Sequence, residues 1–190
     1  MANVTKICFF GPSGSGKTTA MNMAYGYLAS ELGNRSNTLF LNVSTPLHSI
    51  QNDIYKKLNL PNISQDGQLL QFLVEHFGIE VLLVLFKKEL NRFLLENEDA
   101  DKPLFILNSD CRNNAYDTLK EHGFIFIKVM TDYKIRAERL GERQDMSRAD
   151  LNKKYEQTSG MIEDYIIYNN GKKWELREEV KNTMEHLLII

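Results

Sequence analysis

Short apolar runs alternate with longer amphipathic stretches along most of this chain. Lys6–Phe10 is apolar after its first residue and stops at Gly11-Pro12, the pattern of a buried strand entering a turn. From Thr18 to Leu32 the positions Met21, Ala24, Leu28 and Leu32 recur at helical spacing, and Gly33 supplies a stop. Thr38–Val43 reads as a second strand. The segment from Pro46 to about Asn97 is largely helical in pattern, opened by Pro46 and broken over Asn59–Gly67. Within it Leu69, Leu70, Leu73 and Phe77 make an apolar stripe. Pro103–Leu107 is a third strand, Ala115–His122 a helix closed by Gly123, and Phe124–Val129 a fourth strand. Asp132–Arg143 is a polar helix, and Ser147 with Asp150 three residues on opens another. Tyr165–Tyr168 is a last short strand before the turn Asn169-Asn170-Gly171, and Trp174–Leu188 is a terminal helix.

Such alternation predicts an α/β fold in three layers, a parallel sheet of about five strands with helices on both faces. The stretch between the second and third strands exceeds one crossover, so a helical insertion is expected over residues 46–98, near the strand ends that shape a ligand crevice. The whole chain, 1–190, reads as one domain. Phe9, Phe10, Phe72, Phe105, Phe124 and Phe126 lie in apolar runs and are expected in the core.

Composition narrows the function classes. With 23 Lys plus Arg against 25 Asp plus Glu, the net charge is −2, which argues against a dedicated nucleic-acid binder. Cys8 and Cys111 have no metal-ligand or disulfide-framework spacing and read as buried thiols in a reducing, cytoplasmic compartment. His48, His76, His122 and His186 form no triad or ligand spacing. The longest uninterrupted apolar stretch, Val81–Phe86, is too short to span a bilayer, so no membrane partner is expected.

Gly11-Pro-Ser-Gly-Ser-Gly-Lys-Thr18 matches the GxxxxGK[ST] phosphate loop in full. Gly11, Gly14 and Gly16 let consecutive backbone N–H groups turn toward phosphate oxygens, with Ser13 and Ser15 between them. The loop feeds a helix N-terminus, which favours an anion. Lys17 would meet the β- and γ-phosphates, the Thr18 hydroxyl a magnesium ion, and Thr19 the α-phosphate. The loop thus calls for a nucleoside triphosphate with magnesium; ATP, as phosphoryl donor, and Mg²⁺ are the expected cofactors, and the loop itself does not separate ATP from GTP.

Three further segments join the phosphate loop in a pattern. They are Ser44-Thr-Pro-Leu-His48 with Gln65-Asp66-Gly67-Gln68-Leu-Leu-Gln71, Asn108-Ser-Asp110-Cys-Arg112 after a strand, and Asp164-Tyr-Ile-Ile-Tyr-Asn169-Asn-Gly171. In this order the motifs resemble the phage-type deoxynucleoside monophosphate kinases, within the P-loop nucleoside monophosphate kinase group. The resemblance departs on the acceptor side: Val74-Glu75 replaces a Gly-Thr pair, Asn113-Asn114-Ala115-Tyr116 replaces Phe-Pro-Asn-Glu, and His48 stands for Lys. It implies a kinase that phosphorylates a small acceptor, a (deoxy)nucleoside monophosphate, with acceptor contacts from Asp66, Gln71 and Arg112. It also implies a lid over about 132–160 supplying Arg136, Arg139 and Arg143. Apart from the resemblance, Arg92 falls on the helix carrying Leu90, Phe93 and Leu94, where it can face the acceptor cleft.

The residues themselves leave some roles open. Asp110, at a strand's C-terminal end, can hold a magnesium-bound water or orient an acceptor hydroxyl, or it can be a turn residue. Arg112 suits a phosphate bidentately or is a structural arginine. Asp66 can instead cap a helix, and Gln71 and Arg92 can be surface residues. Arg136, Arg139 and Arg143, at i, i+3 and i+7, share one helix face that either clamps a transferring phosphoryl or is solvated with Asp132, Glu138 and Glu142. Catalytic roles are thus expected of Lys17, Asp110 and Arg139. Two other readings stand beside the small-molecule kinase: a kinase of a hydroxylated base in DNA, and a nucleotide switch or ATPase without an acceptor. Whether two copies pair as a homodimer is left open.

Overall fold

The computed structural model describes residues 3–61, 66–99, 101–141, 158 and 160–189. Five strands, β1 (Val4–Phe10), β2 (Asn37–Phe40), β3 (Leu104–Asn108), β4 (Ile125–Met130) and β5 (Tyr165–Tyr168), form one parallel sheet in the order β2-β3-β1-β4-β5. The helices are α1 (Lys17–Leu32), α2 (Thr45–Lys57), α3 (Gly67–Glu96), α4 (Asn113–Glu121), α5 (Tyr133–Gly141) and α6 (Lys173–Ile189). The expected three-layer architecture is what forms.

The alternation along β1 explains the layers. Successive strand side chains point to opposite faces, so Ile7 and Phe9 enter one core while Cys8 and Phe10 enter the other. The first core joins the sheet to α1 and α6 through Ala20, Met21, Ala24, Leu28, Leu176, Val180 and Met184. The second joins it to α2, α3 and α4 through Leu47, Leu73, Leu83, Phe86, Leu90 and Leu119. Both faces being covered, the central strands read as continuous apolar runs.

Several elements differ from the sequence pattern. β2 stops at Phe40 instead of Val43, because beyond Leu41, whose N–H still reaches Leu107 O at 2.9 Å, the Asn42 side chain turns to accept from Ser109 N at 2.8 Å. Phe72 and Phe77 are more than half exposed, not core, while Leu70 and Leu73 are buried. A helix that buries Leu70 and Leu73 turns neighbouring Phe72 away from the sheet. Helix α3 also breaks at Gly78 (φ 76°, ψ 163°). By length and composition Gln68–Glu96 passes for a membrane-crossing helix, with mean hydropathy 1.9 over an 18-residue window of which 28% is buried, although the uninterrupted apolar run within it is short. Leu70, Leu73, Leu82, Leu83, Phe86 and Leu90 of this helix lie in the second core. The helix expected from Ser147 lies outside the described residues.

Sheet order sets the position of the site. β1 is central, flanked by β3 and β4. The C-terminal ends of those three strands therefore bring together the loops 11–16, 109–112 and 131–132, at the edge where open α/β sheets hold ligands.

Candidate phosphate-binding site

The loop from Gly11 to Gly16 leaves β1 and enters α1 with Gly16 as a left-handed N-cap (φ 95°, ψ 21°). Glycine is required at its two ends. A Cβ on Gly11 would meet Val129 O at 2.4 Å, and one on Gly16 would meet Asn169 Nδ2 at 2.3 Å. Both residues also have positive φ, which L side chains rarely adopt. Ser15 N donates to Pro12 O at 3.2 Å, and Lys17 Nζ folds back on the same carbonyl at 3.2 Å.

Other elements hold three further carbonyls of this loop. From α5, Arg136 Nη1 lies 3.4 Å from Ser13 O and Arg139 Nη1 lies 3.4 Å from Gly14 O. Arg139 Nη2 also reaches Asn169 O at 3.2 Å and Asn169 Oδ1 at 3.4 Å. Ser15 O accepts from Asn169 Nδ2 at 2.7 Å and from Thr131 Oγ1 at 3.0 Å. With Arg136 only 5% exposed, the solvated-face alternative does not hold for this residue. The structure thus gathers Lys17, Arg136 and Arg139 on the phosphate loop. Arg143 lies outside the described residues.

The donor set suits a magnesium-bound triphosphate. Ser15 is fully buried and its hydroxyl has no hydrogen-bond partner among the described residues, so an anion oxygen in the loop would satisfy it. Thr18 and Thr19 are exposed at the first turn of α1. Magnesium on phosphates needs only one or two protein oxygens, which Thr18 and Asp110 can offer. No group of three or more His, Cys, Asp or Glu among the described residues forms a cage of its own.

Beside the loop, two asparagines tie the ends of β2 and β3. Asn108 is fully buried; its Nδ2 donates to Leu41 O at 2.9 Å, and its Oδ1 accepts from Asp110 N at 2.9 Å. Asp110 in turn lies 3.9 Å from Arg112 Nε. Burial pushes the Cys8 thiol well above its usual range, reinforced by the adjacent Cys111 thiol and by the charge of Asp110, while Lys17 pulls the other way.

The remaining acceptor-side residues are engaged within the helical insertion. Asp66 caps α3: Oδ1 accepts from Leu69 N at 3.0 Å and Oδ2 from the Tyr55 hydroxyl at 2.6 Å. The Leu69 amide, then the Tyr55 hydroxyl, hold this carboxyl below the usual carboxylate range. Buried Gln51 accepts from Asp66 N, joining α2 to α3. Gln71 is exposed and donates to Glu75, and Arg92 is exposed and pairs with Glu89 and Glu96. The contacts described for these three residues thus stay within α2 and α3.

Asn42, Asn108, Thr131 and Asn169 escape sequence reasoning as site residues. Asn169 stands out there only as part of a turn and of the closing-strand motif, and Thr131 gives no signal.

No protein-family model matches the chain, and no curated protein matches it in sequence. Solved structures do match over almost the full length. A sugar kinase from a Janibacter species shares 17% identity, with 96% of this chain and 95% of that one covered and a TM-score of 0.55. A gluconokinase from Sinorhizobium meliloti shares 18%, with 98% and 95% covered and a TM-score of 0.51. Shikimate kinase from Acinetobacter baumannii, solved with shikimate, shares 16%, with 98% and 94% covered and a TM-score of 0.51. At these identities the likeness establishes the fold.

Proposed function

We propose that this chain is an ATP- and magnesium-dependent phosphotransferase acting on a small acceptor, with a (deoxy)nucleoside monophosphate as the acceptor. The observation that carries the reading is the placement of Arg136 and Arg139 over the phosphate loop, 3.4 Å from the carbonyls of Ser13 and Gly14. Guanidinium groups there suit phosphoryl transfer, which is accelerated chiefly by cations that answer charge spread over the equatorial oxygens. Hydrolytic P-loop proteins use arginines in the same way, so the choice of a kinase over a switch or ATPase rests on the motif resemblance.

In this reading Lys17, Ser15 and the loop amides hold the donor phosphates, and Thr18 with Asp110 would hold magnesium. That ion, when bound, would supply charge neutralisation to the donor phosphates. Arg139, anchored between the loop and Asn169, stabilises the group in transit, and Arg112 meets the acceptor's anionic end. Helices α2 and α3 form the acceptor wall, with Asp66 holding them together. Solved relatives in fold are named for sugar, gluconate and shikimate phosphorylation, which supports a small acceptor. The monophosphate acceptor rests on the motif resemblance.

The test is ADP formation with ATP and Mg²⁺ over a panel of nucleoside monophosphates, gluconate, shikimate, duplex DNA and no acceptor. Stimulation by one monophosphate is expected. Release of ADP indifferent to every acceptor would sink the kinase reading, and stimulation by DNA or a sugar acid would replace the acceptor. Lys17→Ala is expected to abolish turnover. Arg139→Ala is expected to lower kcat by about 10²–10³ while changing ATP affinity much less.

A further inference from the structure

We infer that Thr131 and Asn169 are positioning residues that lock the Ser15–Gly16 peptide in the orientation an anion requires. The inference rests on the triphosphate reading of the loop and deepens it.

The Ser15 carbonyl receives two donors, Asn169 Nδ2 at 2.7 Å and Thr131 Oγ1 at 3.0 Å. There are no cis peptide bonds in the described chain. In a trans peptide the C=O of one residue and the N–H of the next point in opposite directions. Holding Ser15 O against Thr131 and Asn169 therefore turns the Gly16 N–H away from them. Gly16 (φ 95°) heads α1, where unpaired amides meet anions. Glycine's freedom makes this hold necessary, because a peptide beside it can rotate at little cost. A rotated peptide would present the Ser15 carbonyl, an acceptor, where the anion needs a donor.

The clamp is itself held. Asn169 is 6% exposed and follows β5, and its backbone N–H donates to Met130 O at 2.8 Å. Its amide is satisfied at both ends, Nδ2 by Ser15 O and Oδ1 by Arg139 Nη2. The Thr131 hydroxyl also lies 3.2 Å from Asn169 O. One buried side chain thus connects the loop peptide to the arginine proposed to meet the transferring group. Removing it should disturb donor binding and Arg139 together.

The test measures binding of a non-hydrolysable ATP analogue with Mg²⁺ by calorimetry, alongside thermal melts without nucleotide. The proteins are wild type, Lys17→Ala, Asn169→Ala, Thr131→Val and Thr131→Ser. Asn169→Ala and Thr131→Val are each expected to weaken binding about five- to tenfold, the loss of one of the two donors to a buried acceptor. Thr131→Ser, which keeps the hydroxyl, should stay within about threefold of wild type. Valine keeps the shape of threonine and serine keeps only its hydroxyl, so a role in packing alone would weaken Thr131→Ser more than Thr131→Val. Binding by Asn169→Ala and Thr131→Val within twofold of wild type overturns the clamp, as does Thr131→Ser binding as weakly as Thr131→Val. If Asn169→Ala does not fold, the Thr131 pair decides. Wild type that fails to bind, or Lys17→Ala binding as tightly as wild type, instead overturns the triphosphate reading and the clamp with it.

Discussion

Replacing Gly16 by Ala and, separately, Gly26 by Ala puts the same methyl group ten residues apart with opposite expected signs. At Gly16 the backbone has φ 95°, and the new Cβ would lie 2.3 Å from Asn169 Nδ2. Left-handed backbone costs a non-glycine residue about 1–2 kcal/mol. Pushing the Asn169 amide aside leaves Thr131 as the remaining donor to Ser15 O, a loss of about 1 kcal/mol. Together these give a destabilisation of about 2–3 kcal/mol. For a chain of this length that is a fall in Tm of roughly 4–12 °C. Gly26 lies inside α1 and is exposed, and a methyl added there meets nothing within 4 Å. There alanine gains about 1 kcal/mol of helix propensity, a rise of roughly 2–4 °C. Calorimetric melts of the three proteins without nucleotide measure both shifts. A Gly16→Ala protein melting at or above wild type would refute the reasoning, because it would mean that Asn169 swings away from the loop without loss.

Two further outcomes follow from charge and burial. Cys8, fully buried and with its thiol raised chiefly by burial, should resist iodoacetamide in the native state and react on unfolding; mass spectrometry of partially labelled protein checks this, and native labelling at the rate of a free thiol would contradict the packing. The Asp66 carboxyl, held low first by the Leu69 amide, ionises more readily folded than unfolded, so its charge adds stability above the unfolded carboxylate value near ~3.9, lost as pH falls through the lower folded value. Asp66→Asn should therefore melt below wild type at neutral pH, with the gap closing in acid. Melts between pH 7 and pH 3 that show a constant gap would rule the carboxylate out as its cause.

The local elements are legible in the sequence because their causes are local. Gly11–Thr18 announces a phosphate loop since its glycines, Lys17 and Thr18 answer backbone and charge requirements within eight consecutive positions. Likewise the periodicity of Met21, Ala24 and Leu28 marks α1, and all three are buried as that pattern requires. Ambiguity enters where one residue type serves two local purposes. Asp66 fits an acceptor ligand or a helix cap equally well in sequence, and the chain uses it as the cap. Phe72 departs from the expected core because an apolar run does not reveal which of its residues a helix turns outward.

By itself, then, the sequence determined the strand–helix alternation, the parallel sheet and the phosphate loop, all of which follow from short-range periodicity and backbone freedom. Tertiary structure decided what surrounds that loop. The contacts of Arg136, Arg139, Thr131 and Asn169 with it join residues 116 to 154 positions apart. They exist because the order β2-β3-β1-β4-β5 sets β4 beside β1 and β5 beside β4. No local propensity encodes that order; it arises from burying two faces of one sheet at once.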